Sequence, residues 1–296
     1  MNAKPPFSIV IPSLLRTDLL RLCLQSVKDH APDGTQVIVI DDGSKKGDVS
    51  QIARSMMPCE IIRHDKPQGF CIAANAGLKA ARAEIVQMLN DDAELASGVT
   101  SAIEAFANPN VGAVAAMVLR WPGQTIDSAG DCYDVGGFAQ PRGRGHRPIG
   151  QWLCPRDVDA ASGCAAFYRR ELILELGGFA ESFGSFFEDV DLSLRLRRRG
   201  YSIRYVPDCR VLHRGSSSHR QCRSLIARQS RNEERVFWRN TGGTPTELVR
   251  HAVVLALKAF RRLTEGAFWP WSTGRFAAWV AESQSPADSI SMERHR

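Results

Sequence analysis

The 296-residue chain lacks any long uninterrupted apolar run. Its most lipid-like stretch, Ala252 to Phe260, is short and carries Lys258, far below the roughly 20 apolar residues of a spanning helix. Paired cysteines are missing too. The eight cysteines (Cys23, Cys59, Cys71, Cys132, Cys154, Cys164, Cys209, Cys222) lie far apart with no C-x-x-C pair. That excludes a zinc module read from spacing and leaves reduced thiols, several of them expected in core strands. No internal repeat or low-complexity tract occurs, and 24 Gly with 15 Pro exclude a collagen-like chain. Neither sign of charge dominates. With 38 Lys and Arg against 32 Asp and Glu the net charge is +6, which favours anionic ligands or membrane surfaces without demanding nucleic acid. Pro5, Pro6 and Pro12 bracket the apolar residues near the start, so Met1 to Leu15 does not read as a signal peptide. A cytoplasmic setting is expected.

Apolar residues make up 44% of the sequence and charged residues 24%, enough for one large α/β domain with an appendage. Phe7 to Ile11, Val37 to Ile40, Ile61-Ile62 and Glu84 to Leu89 read as strands. Between them lie helical patterns: one capped by Thr17, one over 48–57, and one opened by Gly69 and running to Ala81. Single helices between strands indicate a doubly wound, mostly parallel sheet, whose ligands bind at the carboxyl ends of the strands. A helix at Val99 to Phe106 and a strand at Val111 to Leu119 follow. Trp121 to Asp157, rich in Gly, Pro and Arg, reads as a long functional loop. Beyond it come a short helix to Leu176, an acidic helix start at 187–191, a strand at 203–206, a basic helix at 221–239 and an amphipathic one at 247–263. The tail past Gln284 is polar and expected to fray.

Four places carry chemistry-bearing residues. Asp41-Asp42-Gly43-Ser44 leaves a strand end through a glycine turn; its carboxylates serve either a nucleobase N–H or the turn itself. Asn90-Asp91-Asp92 sets adjacent carboxylates at a second strand end. Their repulsion is relieved by Mg²⁺ or Mn²⁺, or they merely precede a helix. Phe186-Phe187-Glu188-Asp189-Val190-Asp191 opens a helix with three acids, which the helix dipole favours. The flanking phenylalanines would raise a carboxyl pKa towards that of a general base. Asp189 and Asp191 cannot share a helix face, and Asp191 with Arg195 suits a surface pair. His213 ends an apolar run and is either structural or a metal ligand. Arg195 and Arg197 to Arg199 read mostly as a solvated face.

In order and spacing these pieces resemble family 2 glycosyltransferases, which are mostly inverting enzymes of GT-A fold. The matching elements are Ile9-Val-Ile-Pro-Ser13, Val39-Ile-Asp-Asp-Gly-Ser44, Gly69-Phe70 to Asn75-Ala-Gly77 and Leu89-Asn-Asp-Asp92. Ser162-Gly163, Gly177-Gly-Phe179, Phe187-Glu-Asp-Val-Asp-Leu192 with Arg195, Gly200-Tyr201 and His213 complete them. Within the family the chain looks most like bacterial enzymes that build rhamnose-containing or other surface polysaccharides. The resemblance implies a GT-A catalytic domain over residues 1–242, with a nucleotide-binding half (1–120) and an acceptor-binding half (121–242). Residues 243–296 would form a helical extension. It implies transfer of a sugar from a nucleoside-diphosphate sugar to a glycan or lipid-linked acceptor, without nucleic acid. Ser13, Asp42, Gly69 and Asp91 would bind the donor, Asp42 at the base and Asp91 at the ribose. Asp92 and His213 would hold Mn²⁺ or Mg²⁺, and Asp189 would be the general base. Ser13-Leu14-Leu15 departs from the threonine, aromatic and polar residue common after the first proline, which implies weaker base stacking.

Two other classes compete. A sugar-phosphate nucleotidyltransferase would need a Gly-rich basic loop after the first strand, which Pro12-Ser-Leu-Leu-Arg16 is not. A non-catalytic anion- or nucleic-acid-binding protein rests on the positive charge alone. Residues 247–271, with Trp269 and Trp271, suit either contact with the inner face of the cell membrane or packing back on the catalytic domain.

Overall fold

The computed structural model describes residues 5–215 and 222–284, so the tail expected to fray lies outside the described residues. Strands and helices alternate from the start: β1 (Ser8–Ser13), α1 (Thr17–His30), β2 (Gln36–Asp41), α2 (Asp48–Met56), β3 (Glu60–Arg63), α3 (Phe70–Ala80) and β4 (Ile85–Met88). The four strands are parallel neighbours in the order β3-β2-β1-β4. The chain thus winds to one side of β1, then crosses to the other, making a switch point at the carboxyl ends of β1 and β4. Thr17 does not cap α1. Arg16 precedes it with no side-chain cap, and Thr17 is the first helical residue.

Next come β5 (Ala93–Ser97), α4 (Val99–Glu104) and β6 (Val111–Arg120). The segment expected to be a loop over 121–157 carries four short strands: β7 (Thr125–Ala129), β8 (Asp131–Asp134), β9 (Phe138–Pro141) and β10 (Arg156–Val158). Its many glycines turn hairpins: β7 folds back on β6, and β8 pairs with β9. Then follow β11 (Phe167–Arg169), α5 (Arg170–Glu175), α6 (Glu188–Arg198) and β12 (Ser202–His213). β12 is three times the length expected from 203–206, because polar residues alternate along it while one face stays buried. It runs parallel to β6 and antiparallel to β5 and β10, and β11 lies antiparallel between β6 and β4. The result is a 10-stranded sheet.

The core is built from strand runs such as Ile9, Ile11, Val37 and Val39, which pack with Leu20, Leu24 and Val27 of α1. Cys23, Cys71, Cys164 and Cys209 are buried and all eight thiols are free, but only Cys209 lies in a core strand; Cys23 and Cys71 sit on helices.

The remaining elements are α7 (Arg223–Asn240), α8 (Pro245–Thr264) and α9 (Phe268–Gln284). Packing divides the chain into one unit of residues 1–133 and 140–216 and a second of residues 134–139 and 217–296. The division therefore falls before α7, not at residue 242. The physical reason is that α7 packs along α9, with Ser230 Oγ donating to the Trp271 carbonyl at 2.6 Å. Glu233 and Glu234 of α7 also pair with the buried Arg275.

Candidate active site

The parallel register sets the carboxyl ends of β1, β2 and β4 side by side, with Ser13 opposite Asp41. Both acidic turns expected at strand ends are therefore on one edge. Asp41 is structural. Its carboxylate accepts from the Ser44 and Ser50 N–H groups at 2.8 and 3.2 Å and pairs with Arg63. Burial would raise its pKa, but the hydrogen bonds from Ser50, Ser44 and Arg63 outweigh this and lower it. Asp42 faces the loop before α3, accepting from the Gln68 and Gly69 N–H groups at 2.9 Å and meeting His64 Nδ1 at 2.7 Å. Two of the residues expected at the donor, Asp42 and Gly69, thus touch. The turn between them is tight: a Cβ on Gly43, at φ +79°, would stand 2.5 Å from the Lys66 carbonyl carbon.

Ser13 and Asp91 also meet, the Ser13 hydroxyl donating to Asp91 Oδ2 at 2.7 Å. Burial, and then the charge of Asp92, push the Asp91 pKa up to about 6 against the effect of that hydrogen bond.

Asp92 and His213 are 121 positions apart in sequence (213 less 92), yet the sheet joins them. The segment 93–97, which leads into the expected helix at Val99, is itself the strand β5, and its antiparallel pairing places His213 opposite Ala93. His213 Nε2 lies 3.3 Å from Asp92 Oδ1. Two ligands about 2.1 Å from one cation, at right angles to each other, are roughly 3.0 Å apart, so the pair fits a shared divalent ion. Among the described residues no cluster of three or more His, Cys, Asp or Glu side chains forms a complete cage. Two protein donors suit Mg²⁺ or Mn²⁺ shared with a ligand's oxygens, not a closed zinc site.

The other ring nitrogen meets a residue that the sequence reading missed. Asp127 Oδ2 is 2.8 Å from His213 Nδ1. The β6–β7 register pairs Val118 with Ser128 and Leu119 with Ile126, leaving Asp127 as the bulge residue between them. A bulge re-aims a side chain. Burial would raise Asp127, but His213, Arg144 and Arg120 hold its pKa near 2, so the carboxylate is charged. The one available signal was an acid inside the short alternating run Thr125 to Ala129.

Asp189 stands at the start of α6, where Gly163 N–H donates to Oδ2 at 2.7 Å. The same loop joins the base candidate to the acidic turn, because the Cys164 carbonyl accepts from Asn90 N–H at 2.9 Å. Burial raises the Asp189 pKa, the direction expected from the phenylalanines around it. Its neighbour Glu188 is pushed up to about 8 by burial and by Asp189. Asp131, also unforeseen, is buried, accepts from Ser128 Oγ at 2.6 Å and is raised to about 7 by burial and by Asp189. Asp191 is not in a surface pair. It is fully buried, and Arg195, bonded to it at 2.8 Å, also donates to the Leu176 and Gly178 carbonyls at 2.8 Å. This strut ties α6 to the Gly177-Gly178 turn, which leaves Asp189 as the acid on the open side.

The geometry can be compared with known proteins. A solved mannosyltransferase of Pyrobaculum calidifontis, in complex with GDP-Man and Mn²⁺, superposes with a TM-score of 0.59 over 96% of this chain and 76% of that one, at 20% identity; the fold is GT-A. The O-antigen biosynthesis protein RfbC of Myxococcus xanthus is 28% identical over 232 residues, 74% of this chain and 18% of that protein. The pre-mycofactocin glycosyltransferase of Mycobacterium tuberculosis is 29% identical over 232 residues, 75% of this chain and 45% of its own length. The chain thus spans less than half the length of these curated relatives. The profile of the family described as Glycosyl transferase family 2 matches residues 8–177, more than half the chain and including every donor-side residue discussed above, and a related profile, Glycosyl transferase family group 2, matches 154–233. The chain therefore belongs to glycosyl transferase family 2.

Proposed function

We propose that the chain moves a sugar from a nucleoside-diphosphate sugar to a hydroxyl of a glycan or lipid-linked acceptor, inverting the anomeric centre and using Mn²⁺ or Mg²⁺. The observation that carries this reading is the meeting of Asp92 with His213 Nε2, backed by Asp127, at the mouth of the β1–β4 switch point. Asp42 would accept an N–H of the base with the lone pair left over from Gln68, Gly69 and His64. Asp91, held by Ser13, would face the ribose. Asp92 and His213 would hold the cation, and Asp127 would fix the imidazole so that Nε2 presents its lone pair. The bound cation supplies Lewis-acid neutralisation of the departing diphosphate. Asp189 would take the proton of the acceptor hydroxyl as it attacks, an effect worth roughly 10²–10⁴-fold. One base and one displacement invert the centre, whereas the paired carboxylates of retaining hydrolases would form a covalent intermediate. Residues 1–120 would form the nucleotide side, and the acceptor side would begin at residue 121. The name of RfbC supports a surface-glycan acceptor.

A panel of nucleotide sugars incubated with Mn²⁺, scored for free nucleoside diphosphate, tests the reading without knowledge of the acceptor. Release from one donor, lost in Asp92→Asn and with EDTA, is expected; release indifferent to metal overturns it.

A further inference from the structure

Ordinary surface helices turn their apolar stripe inward. α8 does the opposite with half of its apolar residues. Val249, Val253, Leu257, Phe260 and Leu263 are each between 53% and 71% exposed. Their spacing of four, four, three and three residues puts them on one side of the helix. The opposite side carries His251 and Lys258, which are engaged by Glu234 and Glu233 of α7. The stripe is therefore not a frayed or misdirected face: the helix is anchored by its polar residues and leaves its apolar ones outside. α9 adds exposed Trp269, Phe276 and Trp279.

Contiguous exposed apolar surface of this kind marks an interaction site. Residues 1–4, 216–221 and 285–296, outside the described residues, contain few apolar side chains and no run of them. Charge identifies the occupant. Residues 222–284 hold nine arginines and one lysine against five glutamates, a net +5 of the chain's +6. Arg250 and Arg261, both exposed, follow Val249 and Phe260 directly and so border the stripe on one flank. Two copies facing each other across this stripe would bring like charges together, whereas an anionic surface meets a complement. Exposed tryptophans on α9 and exposed arginines on α8 together match the composition of helices that lie in a lipid interface. No helix among the described residues is long and apolar enough to cross a membrane, so α8 would lie on the surface.

We infer that the outer face of α8, with Val253, Leu257 and Phe260 at its centre, docks this protein on an anionic lipid surface. The inference is independent of glycosyl transfer, since binding is read without donor or acceptor. The full chain is sedimented with vesicles of phosphatidylglycerol and, in parallel, of phosphatidylcholine. Binding to the anionic vesicles, much weaker binding to the neutral ones, and a decline with added salt are expected. Leu257→Asp lowers binding roughly tenfold or more, and Val253→Asp/Leu257→Asp/Phe260→Asp abolishes it. These positions face solvent, so the helical circular dichroism and melting temperature of both variants should match the parent. Retention of the parent chain in the supernatant with phosphatidylglycerol overturns the inference, as does undiminished binding by the triple variant. A lipid-free dimer that Leu257→Asp dissociates, with no vesicle binding, assigns the face to a second copy instead.

Discussion

At the scale of single residues, the site depends on how each carboxylate is held. Asp127 meets His213 at Nδ1, which leaves Nε2 as the nitrogen turned to Asp92. Asp127→Asn keeps the shape but offers His213 Nδ1 a weaker acceptor, and loss of such an outer partner typically costs 10–100-fold in metal affinity. A drop of that order in Mn²⁺ affinity is expected by calorimetric titration with a nucleoside diphosphate present. Unchanged affinity would remove Asp127 from the site. Asp189 makes a different test. A raised pKa keeps its carboxyl protonated above the usual range, and a protonated carboxyl cannot accept the acceptor's proton. Activity should therefore fall on the acid side at a pH above ordinary carboxylate titration. Asp189→Asn should lose most of the turnover at every pH while Mn²⁺ and nucleotide still bind. Asp42, Asp91 and Asp92 were legible as acids at the ends of apolar strand runs, Asp189 as an acid at a helix start among phenylalanines, and Ser13 only through the family resemblance. Asp127 was not, because a bulge residue has no periodic signature and its neighbours looked like loop.

At the scale of elements, the parallel half was legible because β1, β2 and β4 are buried on both faces and read as apolar runs. The antiparallel additions were not. β7, β8, β9 and β10 are short and partly exposed, and their glycines carry the hairpins, so the same residues that suggested a loop are turn residues between strands. β5 is a telling case. Ala93 to Ser97 is weakly apolar and carries no strand signature of its own; pairing with β12 makes it a strand, and the helix expected from Val99 follows directly, with Gly98 at its N-cap. Here propensity loses to tertiary context. The start of α6 carries an element-level cost. Phe186 and Phe187 both adopt positive φ, 73° and 68°, which bulky residues rarely do. Glu188 is buried beside Asp189, with Oε2 unpartnered. Its folded pKa of about 8 lies above the ordinary 4.5. The folded state therefore binds more protons than the unfolded state between these values, and stability falls as pH rises through that window. Glu188→Gln removes the titrating proton. Its melting temperature should decline less than the parent's from pH 5 to 8; an identical decline would assign the pH dependence to other groups, Asp131 among them.

At the scale of the whole molecule, the two packing units carry different kinds of surface. The first bears the acidic edge, and the second bears most of the net positive charge and the apolar stripe of α8. Ligands should therefore act on them separately. Under the proposed function, a nucleoside diphosphate with Mn²⁺ should bind only the folded first unit and stabilise it by about 2.7 kcal/mol at a hundredfold excess over Kd. For a domain of this size that corresponds to a rise of roughly 5–10 °C in melting temperature. Neither nucleotide with EDTA nor Mn²⁺ alone should produce the full shift, because Asp92 and His213 offer only two donors and the diphosphate must supply others. His213→Ala should abolish it. An equal shift with EDTA would show that nucleotide binds without metal and would undo the assignment of Asp92 and His213. Leu257→Asp supplies the complementary control. It lies on α8, outside the unit that holds the acidic edge, so it should keep the full nucleotide–Mn²⁺ shift while losing vesicle binding. His213→Ala should do the reverse. If either substitution moved both readouts, the two surfaces would be coupled, and the separate roles given to the two units would have to be abandoned.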